Sequence, residues 1–405
     1  MADSPDTPSA AIPDLSDNAE SSDFVDVDEI IACTPLAEHK IRANHYFSWM
    51  GDDAPILKKP VNNIPEAIEA LQAISLLLRF SRLFMGAKVM DFGAGTCWLS
   101  RDLALLGCDV TAVDISDRAL ALGKKFNERH PFAAQMSINY HAFDGENLDL
   151  PDESFDNIVC FSAFHHVAAE TTLLKHFHRV LRPGGIAAFY ESGPHHASTP
   201  ASQMEMRQYG VIERGIDTDR IWRAAAEIGF ADMKLAQFMP QPVLVSPTDF
   251  NEMLTGPTTV EFGPGFYNLR PFFLYKAGER ALDSRSGQGL IAEITGLLTE
   301  LPDGNFVGKL TIKNIGKALW LPSKLNKGGI CLSSRLINAE NKVVQPSYKS
   351  WWVIDREVAP GDSITVEIDI PAPPSPDLRL SIGLVAQRVA HFDGPGNARF
   401  LVSSP

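Results

Sequence analysis

A doubly wound α/β domain built on a seven-stranded sheet, followed by a mainly antiparallel β-sandwich, is the fold class that three features of this sequence predict. Strand-like and helix-like segments alternate from 87 to 278, which calls for parallel strands joined by crossover helices. The apolar run Val89-Met90-Asp91-Phe92 enters a glycine turn, Gly93-Ala94-Gly95, that opens a helix, as ligand-binding doubly wound sheets do at their first strand. After Leu301 short alternating strands are separated by turn formers such as Pro302-Asp303-Gly304 and Pro360-Gly361, the texture of a sandwich.

Residues 1–34 are expected to be an acidic disordered tail, because Asp3, Asp6, Asp14, Glu20, Asp26 and Glu29 occur there with no Lys or Arg in the first thirty positions; such a segment stays solvated. A helical segment spans 35–86. Within it Leu36 to Trp49 reads as a helix whose aromatic end, His45-Tyr46-Phe47, forms either a lid or a packing face. From Pro65 to Phe84 apolar residues recur at helical spacing behind a proline suited to a helix start.

The α/β domain, 87–278, then reads in order. Lys88–Phe92, Asp109–Asp114, Ile138–Phe143, Phe155–Phe161, Gly185–Glu191, Asp232–Phe238 and Pro271–Lys276 are its strands. Helices are expected at Trp98–Leu106, Asp117–Glu128, Ala169–Leu181 and Ile221–Ile228, and the insertion Pro240–Arg270 carries Phe250, Phe262, Phe266 and Tyr267, as an acceptor cover or a self-burying excursion. Residues 279–300 are taken as a linker or helix, and 301–405 as the sandwich, with strands at Lys309–Ile315, Gly329–Ile337, Ser363–Ile370 and Leu378–Ala386.

Bulk composition narrows the function. Thirty-six Lys and Arg against 50 Asp and Glu leave a net charge of −14, which argues against nucleic acid as substrate, since that affinity rests on clustered cations. Five scattered cysteines form no C-x-x-C pair, so neither a disulfide framework nor a zinc site is expected. No apolar run reaches the ~18 residues of a membrane helix, and the N-terminus has no signal-like pattern. A cytoplasmic protein without a membrane span is the expectation.

The glycine turn lets bare backbone approach a ligand. About twenty residues on, at the end of the second strand, Asp114 can accept both hydroxyls of a ribose, while Ser116 and Asp117 serve as helix caps. Dinucleotide sites use such an acid too, but they want a small residue where Trp98 stands. Phe143-Asp144 closes the third strand; then follow Leu150-Pro151-Asp152-Glu153-Ser154-Phe155-Asp156, Phe164-His165-His166-Val167 and Arg179-Val180-Leu181-Arg182-Pro183-Gly184-Gly185.

In this order the blocks resemble the class I S-adenosylmethionine-dependent methyltransferase family, in its small-molecule branch, from 87 to 277. The resemblance implies a Rossmann-like methyltransferase domain whose cofactor is S-adenosylmethionine. It implies that Asp91, Gly93 and Gly95 line the methionine end, that Asp114 holds the ribose, that Ile115 and Phe143 flank the adenine, and that Asp144 bonds its amino group. The chain departs from the family at Cys97, where a third glycine is frequent; a thiol at a helix N-terminus can be reactive, although plain packing is the more ordinary role.

If the acceptor is a hydroxyl, a general base helps. His166 and His165 follow the fourth strand and Glu191 and His195 follow the fifth, all at the carboxyl edge of the sheet where ligands bind. They are the catalytic candidates, although hydrogen bonding to the acceptor or to one another is the alternative for each. Two histidine pairs beside Glu191 also bring a divalent metal to mind, but adjacent histidines point apart, and no metal is assigned.

The C-terminal string Ile312-Lys313-Asn314-Ile315-Gly316 with Trp320, Val358-Ala359-Pro360-Gly361-Asp362 and Ile382-Gly383-Leu384-Val385 with Phe392 is similar, more loosely, to immunoglobulin-like modules of bacterial polysaccharide-modifying proteins. That likeness implies O-methylation of a sugar hydroxyl of a glycan or glycosylated precursor, with Trp320, Trp351 and Trp352 as a stacking platform. Alternatively the module serves dimerisation or docking to a glycan-synthesis partner, and the enzyme methylates a small metabolite. The remaining reading is a non-catalytic cofactor-binding or scaffold protein.

Overall fold

A computed structural model describes residues 24–48, 50–51, 54–236, 269–325, 327–351, 354–397 and 399–402. The first elements are helices: α1 (Val27–Cys33), α2 (Leu36–Tyr46) and α3 (Ile64–Phe80). The acidic tail was expected to be disordered through residue 34, but its end coils into α1, whose N-cap Asp26 accepts the Asp28 N–H. Residues 1–23 lie outside the described part.

The α/β domain alternates as its sequence does: β1 (Lys88–Phe92), α4 (Trp98–Leu105), β2 (Asp109–Asp114), α5 (Asp117–Glu128), β3 (Ser137–Ala142), β4 (Phe155–Phe161), α6 (Glu170–Val180), β5 (Leu181–Ser192), α7 (Pro200–Tyr209), α8 (Thr218–Ile228), β6 (Phe230–Leu235) and β7 (Leu269–Lys276). The sheet has seven strands in the order β3-β2-β1-β4-β5-β7-β6. All neighbours from β3 to β5 are parallel, whereas β7 runs antiparallel to both β5 and β6. Helix α7 was not anticipated; Pro200 at its start and Gly210 in the left-handed conformation at its end delimit it.

Both faces of the sheet are covered, so its central strands bury apolar residues on both sides. In β1, Val89 joins the cluster under α3 and α4, while Met90 joins the one under α6 and α8. Phe272 and Phe273 of β7 divide in the same way, as the period of two requires. Because the chain leaves β1 toward β2 and β3 and then returns to β4 on the other side, the carboxyl ends of β1 and β4 flank a switch-point crevice.

The C-terminal part contains β8 (Leu282–Asp283), β9 (Ala292–Glu300), β10 (Phe306–Asn314), β11 (Ala318–Leu319), β12 (Ile330–Ile337), β13 (Val343–Trp351), β14 (Ser363–Ile370), β15 (Arg379–Ala386), β16 (Ala390–His391) and β17 (Phe400–Val402). One antiparallel sheet runs β14-β10-β9, and another runs β13-β12-β15-β16 with β17 also on β15. Their apolar faces share a single buried cluster centred on Leu310, Ile312, Leu332, Ile368 and Ile382. β14 shows the pattern plainly, with Ile364, Val366, Ile368 and Ile370 inward and the residues between them exposed.

Two expectations fail here. Where a linker or helix was expected, Ala292–Glu300 is a strand. Ile294, Leu297 and Leu298 have helical spacing, but nine register pairs with β10 decide the outcome, because strand formation depends on tertiary partners. Trp320 was expected on a sugar platform, yet it is 0% exposed and packs edge-on against Phe392. The side chain of Trp351, and Trp352 altogether, lie outside the described residues.

The C-terminal part is anchored to the amino-terminal ends of the strands. Arg285 reaches Asp109, which begins β2, at 3.4 Å, while Arg280 donates to the Asp156 carbonyl in β4 at 3.1 Å and to the Arg82 carbonyl at 2.8 Å. The switch-point crevice is at the opposite end of the same strands.

Candidate active site

A cavity of about 340 Å³ opens at the carboxyl ends of β1, β2 and β4, within the size range of small-molecule sites. The glycine turn forms its floor. Gly93 adopts φ +69°, and a Cβ built there would come within 2.2 Å of the Ala163 Cβ, so only glycine lets the β1 and β4 loops meet. A Cβ at Gly95 would meet nothing within 4 Å, which makes Gly95 an open cradle for a ligand rather than a packing necessity. Cys97 is left-handed at φ +56° and fully buried, and burial pushes its thiol well above the ordinary range. Cys97 thus has the surroundings of a packing residue, the more ordinary of the two roles read from the sequence.

Asp114 stands at the end of β2 on the cavity wall. Its Oδ2 accepts the Gly95 N–H and its Oδ1 the Ser116 N–H, both at 2.7 Å. A carboxylate oxygen has a second lone pair, so each oxygen can still take one hydroxyl from a ligand. Burial raises the Asp114 pKa against these bonds. Ile115 and Phe143 also line the cavity.

Asp91 and Asp144 are not on the wall. Asp91 is buried, accepts the Ser100 hydroxyl at 2.5 Å, and is pushed up to about 7 by burial; it ties β1 to α4. The exposed Asp144 accepts the N–H groups of Asn147 and Glu146 at 2.6 and 2.7 Å, which hold its pKa down. It fixes the loop that carries Phe143 and Gly145.

The four catalytic candidates separate sharply. His166 lines the cavity with its side chain 43% exposed. His165 is buried and turned away: its Nδ1–H donates to Glu191 Oε2 at 2.7 Å, which leaves the Nε2 lone pair directed toward Glu213 Oε2 at 3.8 Å. Burial, followed by the neighbouring His166, pushes this imidazole below its usual range.

Glu191 is 0% exposed and does not reach the cavity. It accepts the N–H groups of Ala163 at 3.0 Å and Phe164 at 2.9 Å besides the His165 ring. Burial opposes its charge, but the His165 bond and these N–H groups outweigh it and lower the pKa. Glu191 as a base is thus corrected: it anchors the loop after β4. His195 is exposed and away from the cavity, so it too is corrected.

Sequence reasoning missed Glu213 and Glu205. Glu213 is buried among His165, His166 and His196, and accepts His196 Nε2–H at 2.7 Å. Burial works against its charge, yet His166 beside it, then the His196 bond, hold its pKa at about 2. Glu205 of α7 is on the cavity wall, and burial followed by the Glu213 charge raises its pKa. No motif marks either residue. Tyr46 and Phe47 line the cavity, and Tyr46 packs edge-on against Tyr209 of α7 at 5.1 Å. The insertion 240–270, read above as either an acceptor cover or a self-burying excursion, falls almost wholly outside the described residues.

Residues 90–189 match the family model described as a methyltransferase domain. The chain contains an S-adenosylmethionine-dependent methyltransferase domain. The chain is 32% identical over 106 residues to the ubiquinone biosynthesis O-methyltransferase of Pseudomonas syringae pv. tomato, covering 26% of this chain and 44% of that one. The Xanthomonas oryzae pv. oryzae protein of the same name is 30% identical over 139 residues, 34% of this chain and 53% of that one. A sterol 24-C-methyltransferase of Eremothecium gossypii is 32% identical over 107 residues, 26% and 28% of the two chains. The chain therefore spans about half the length of the O-methyltransferases it matches. Among solved structures it is similar to phosphoethanolamine N-methyltransferase 2 of Haemonchus contortus with S-adenosyl-L-methionine, at 17% identity and TM-score 0.41 over 58% and 60% of the two chains.

No helix among the described residues of this methyltransferase-domain protein is long and apolar enough to cross a membrane.

Proposed function

We propose that this protein is an O-methyltransferase that uses S-adenosylmethionine to methylate a hydroxyl of a small-molecule acceptor. The observation that carries this reading is the single cavity wall that presents Gly95 and Asp114 on one side and His166, backed by Glu213, on the other.

S-adenosylmethionine supplies an electrophilic methyl group on a sulfonium. Asp114 would hold the two ribose hydroxyls through its remaining lone pairs, Ile115 and Phe143 would enclose the adenine, and Gly93 and Gly95 would give the methionine end close access to backbone. His166 meets the acceptor. Tyr46 and Phe47 exclude water above it, and their aromatic faces suit a cationic sulfonium.

We also infer that the two C-terminal sheets form an immunoglobulin-like sandwich used for assembly. A glycan held by that module has little support, since no described residue after 278 lines the cavity and the module is tied to the far ends of the strands.

The test is incubation with methyl-labelled S-adenosylmethionine and pooled hydroxylated, amine and carbon acceptors, with the product's new bond identified. A methyl ether from the wild type, with turnover about 10² to 10⁴ lower in His166→Ala and cofactor affinity unchanged, is expected. Label solely on nitrogen or carbon, or full turnover in His166→Ala, would refute the reading.

A further inference from the structure

Beside His166 lies a cluster that hydrogen bonding alone does not complete. One ligand atom from each of His165, His166 and Glu213 lies within 4.8 Å of the others. Glu213, 4% exposed in its side chain, has an Oε1 with no hydrogen-bond donor among the described residues. His166 Nδ1 is 3.3 Å from that oxygen but is directed at the Ile212 carbonyl, 2.5 Å away. A buried carboxylate oxygen left without a donor is costly, and the Glu205 carboxyl, hydrogen-bonded to Glu213 and raised in pKa by burial and then by the Glu213 charge, is the acidic neighbour on its cavity side.

We propose that His165, His166 and Glu213 form a site for a divalent first-row transition-metal ion at the acceptor end of the cavity. The site deepens the O-methyltransferase reading and rests on it. Two imidazoles and one carboxylate are a donor set for iron(II), manganese, cobalt, nickel or zinc rather than calcium. Ligands about 2.0–2.2 Å from such an ion stand about 3.0–3.5 Å from one another, and the His165 Nε2 to Glu213 Oε2 separation of 3.8 Å closes to that with a small shift.

The surroundings are those of a metal site as well. Metal-binding histidines typically donate their other ring N–H to a carboxylate; His165 does so to Glu191, and this bond fixes the tautomer that exposes Nε2 to the cluster. His196, bonded to Glu213 Oε2 at 2.7 Å, holds that carboxylate in place from outside the set. His166 belongs to both the cluster and the cavity wall, so the site would adjoin the acceptor through that residue.

There it would lower the pKa of an acceptor hydroxyl. The O–H bond breaks, with Glu205 on the wall placed to take the proton. The oxygen keeps the electron pair and bonds to the methyl carbon, and the carbon–sulfur bond breaks with its pair on sulfur, leaving a thioether.

The test is a titration of chelator-treated full-length protein with Co²⁺, followed by visible absorption and by equilibrium dialysis. One equivalent bound, with ligand-field bands of an imidazole–carboxylate site, is expected. His166→Ala, a change at a partly exposed side chain that keeps the circular dichroism spectrum, should abolish the bands. His196→Ala should weaken binding 10- to 100-fold. Absence of bands at millimolar Co²⁺, or an unchanged titration in folded His166→Ala, would overturn the site. Methyl ether formation by protein that binds no Co²⁺ would overturn it while leaving the O-methyltransferase reading intact. Co²⁺ bound by protein that methylates only nitrogen or carbon would uphold the site and remove the reading beneath it.

Discussion

Asp114→Ala is expected to bind S-adenosylhomocysteine on the order of 10² to 10⁴ times more weakly than the wild type, because two charge-assisted hydrogen bonds to ribose, each about 1.5–3 kcal/mol, are lost together. Part of the loss is indirect. The same carboxylate fixes the Gly95 and Ser116 N–H groups, so its removal loosens the cradle and the start of α5. Asp114→Asn separates the two contributions, since one amide oxygen can keep one backbone bond while the hydroxyl acceptors are reduced; its affinity should fall between the other two. Calorimetric titration checks this, and an Asp114→Ala protein that folds and binds within threefold of wild type would show that the ribose is held elsewhere.

The second large effect lies under the acceptor end. Glu191→Ala should destabilise the methyltransferase domain by about 3–5 kcal/mol, the cost of removing one partner from a buried charged network. Five donors then lose their acceptor at once: the N–H groups of Ala163, Phe164 and His165, the His165 ring and the Cys160 thiol. For a domain of this size that is a fall in melting temperature of roughly 6–20 °C. Thermal unfolding followed by circular dichroism measures it. A shift under about 2 °C would mean that the loop after β4 is held by something other than Glu191.

These two carboxylates show what the sequence could and could not disclose. Asp114 was legible because its role is written locally: an apolar strand ends in an acid two residues before a serine cap, downstream of a glycine turn. Glu191 occupies a similar place at the end of β5, and from sequence it reads as reactive. The difference is tertiary. Central parallel strands are buried on both faces, so alternation does not say which acid meets solvent, and only the path of the loop after β4 places Glu191 under three N–H donors. His165 and His166 are adjacent in sequence and their rings lie 4.0 Å apart, yet only one bonds Glu191 and only the other lines the cavity. Glu213 lies 47 positions beyond His166 in a segment without regular structure, and nothing local announces it.

The same contrast governs the larger architecture. The seven strands were legible from apolar runs and turn residues, whereas their order in the sheet was not read from the sequence. The attachment of the C-terminal sheets was not, because it depends on Arg280 and Arg285 finding partners in β4 and β2, pairs far apart in sequence and of a type common on any surface. Expecting Trp320 on a sugar-binding face failed for a related reason: a tryptophan in a strand signals burial or stacking equally well until its neighbours are known.

The most direct test of the account is a crystal structure of the protein with S-adenosylhomocysteine. The ribose hydroxyls are expected within about 2.6–2.9 Å of Asp114, the adenine between Ile115 and Phe143, and the sulfur turned toward His166. A nucleoside bound in that cavity but reversed, with its sulfur away from His166, or one that makes no contact with Asp114, would contradict it.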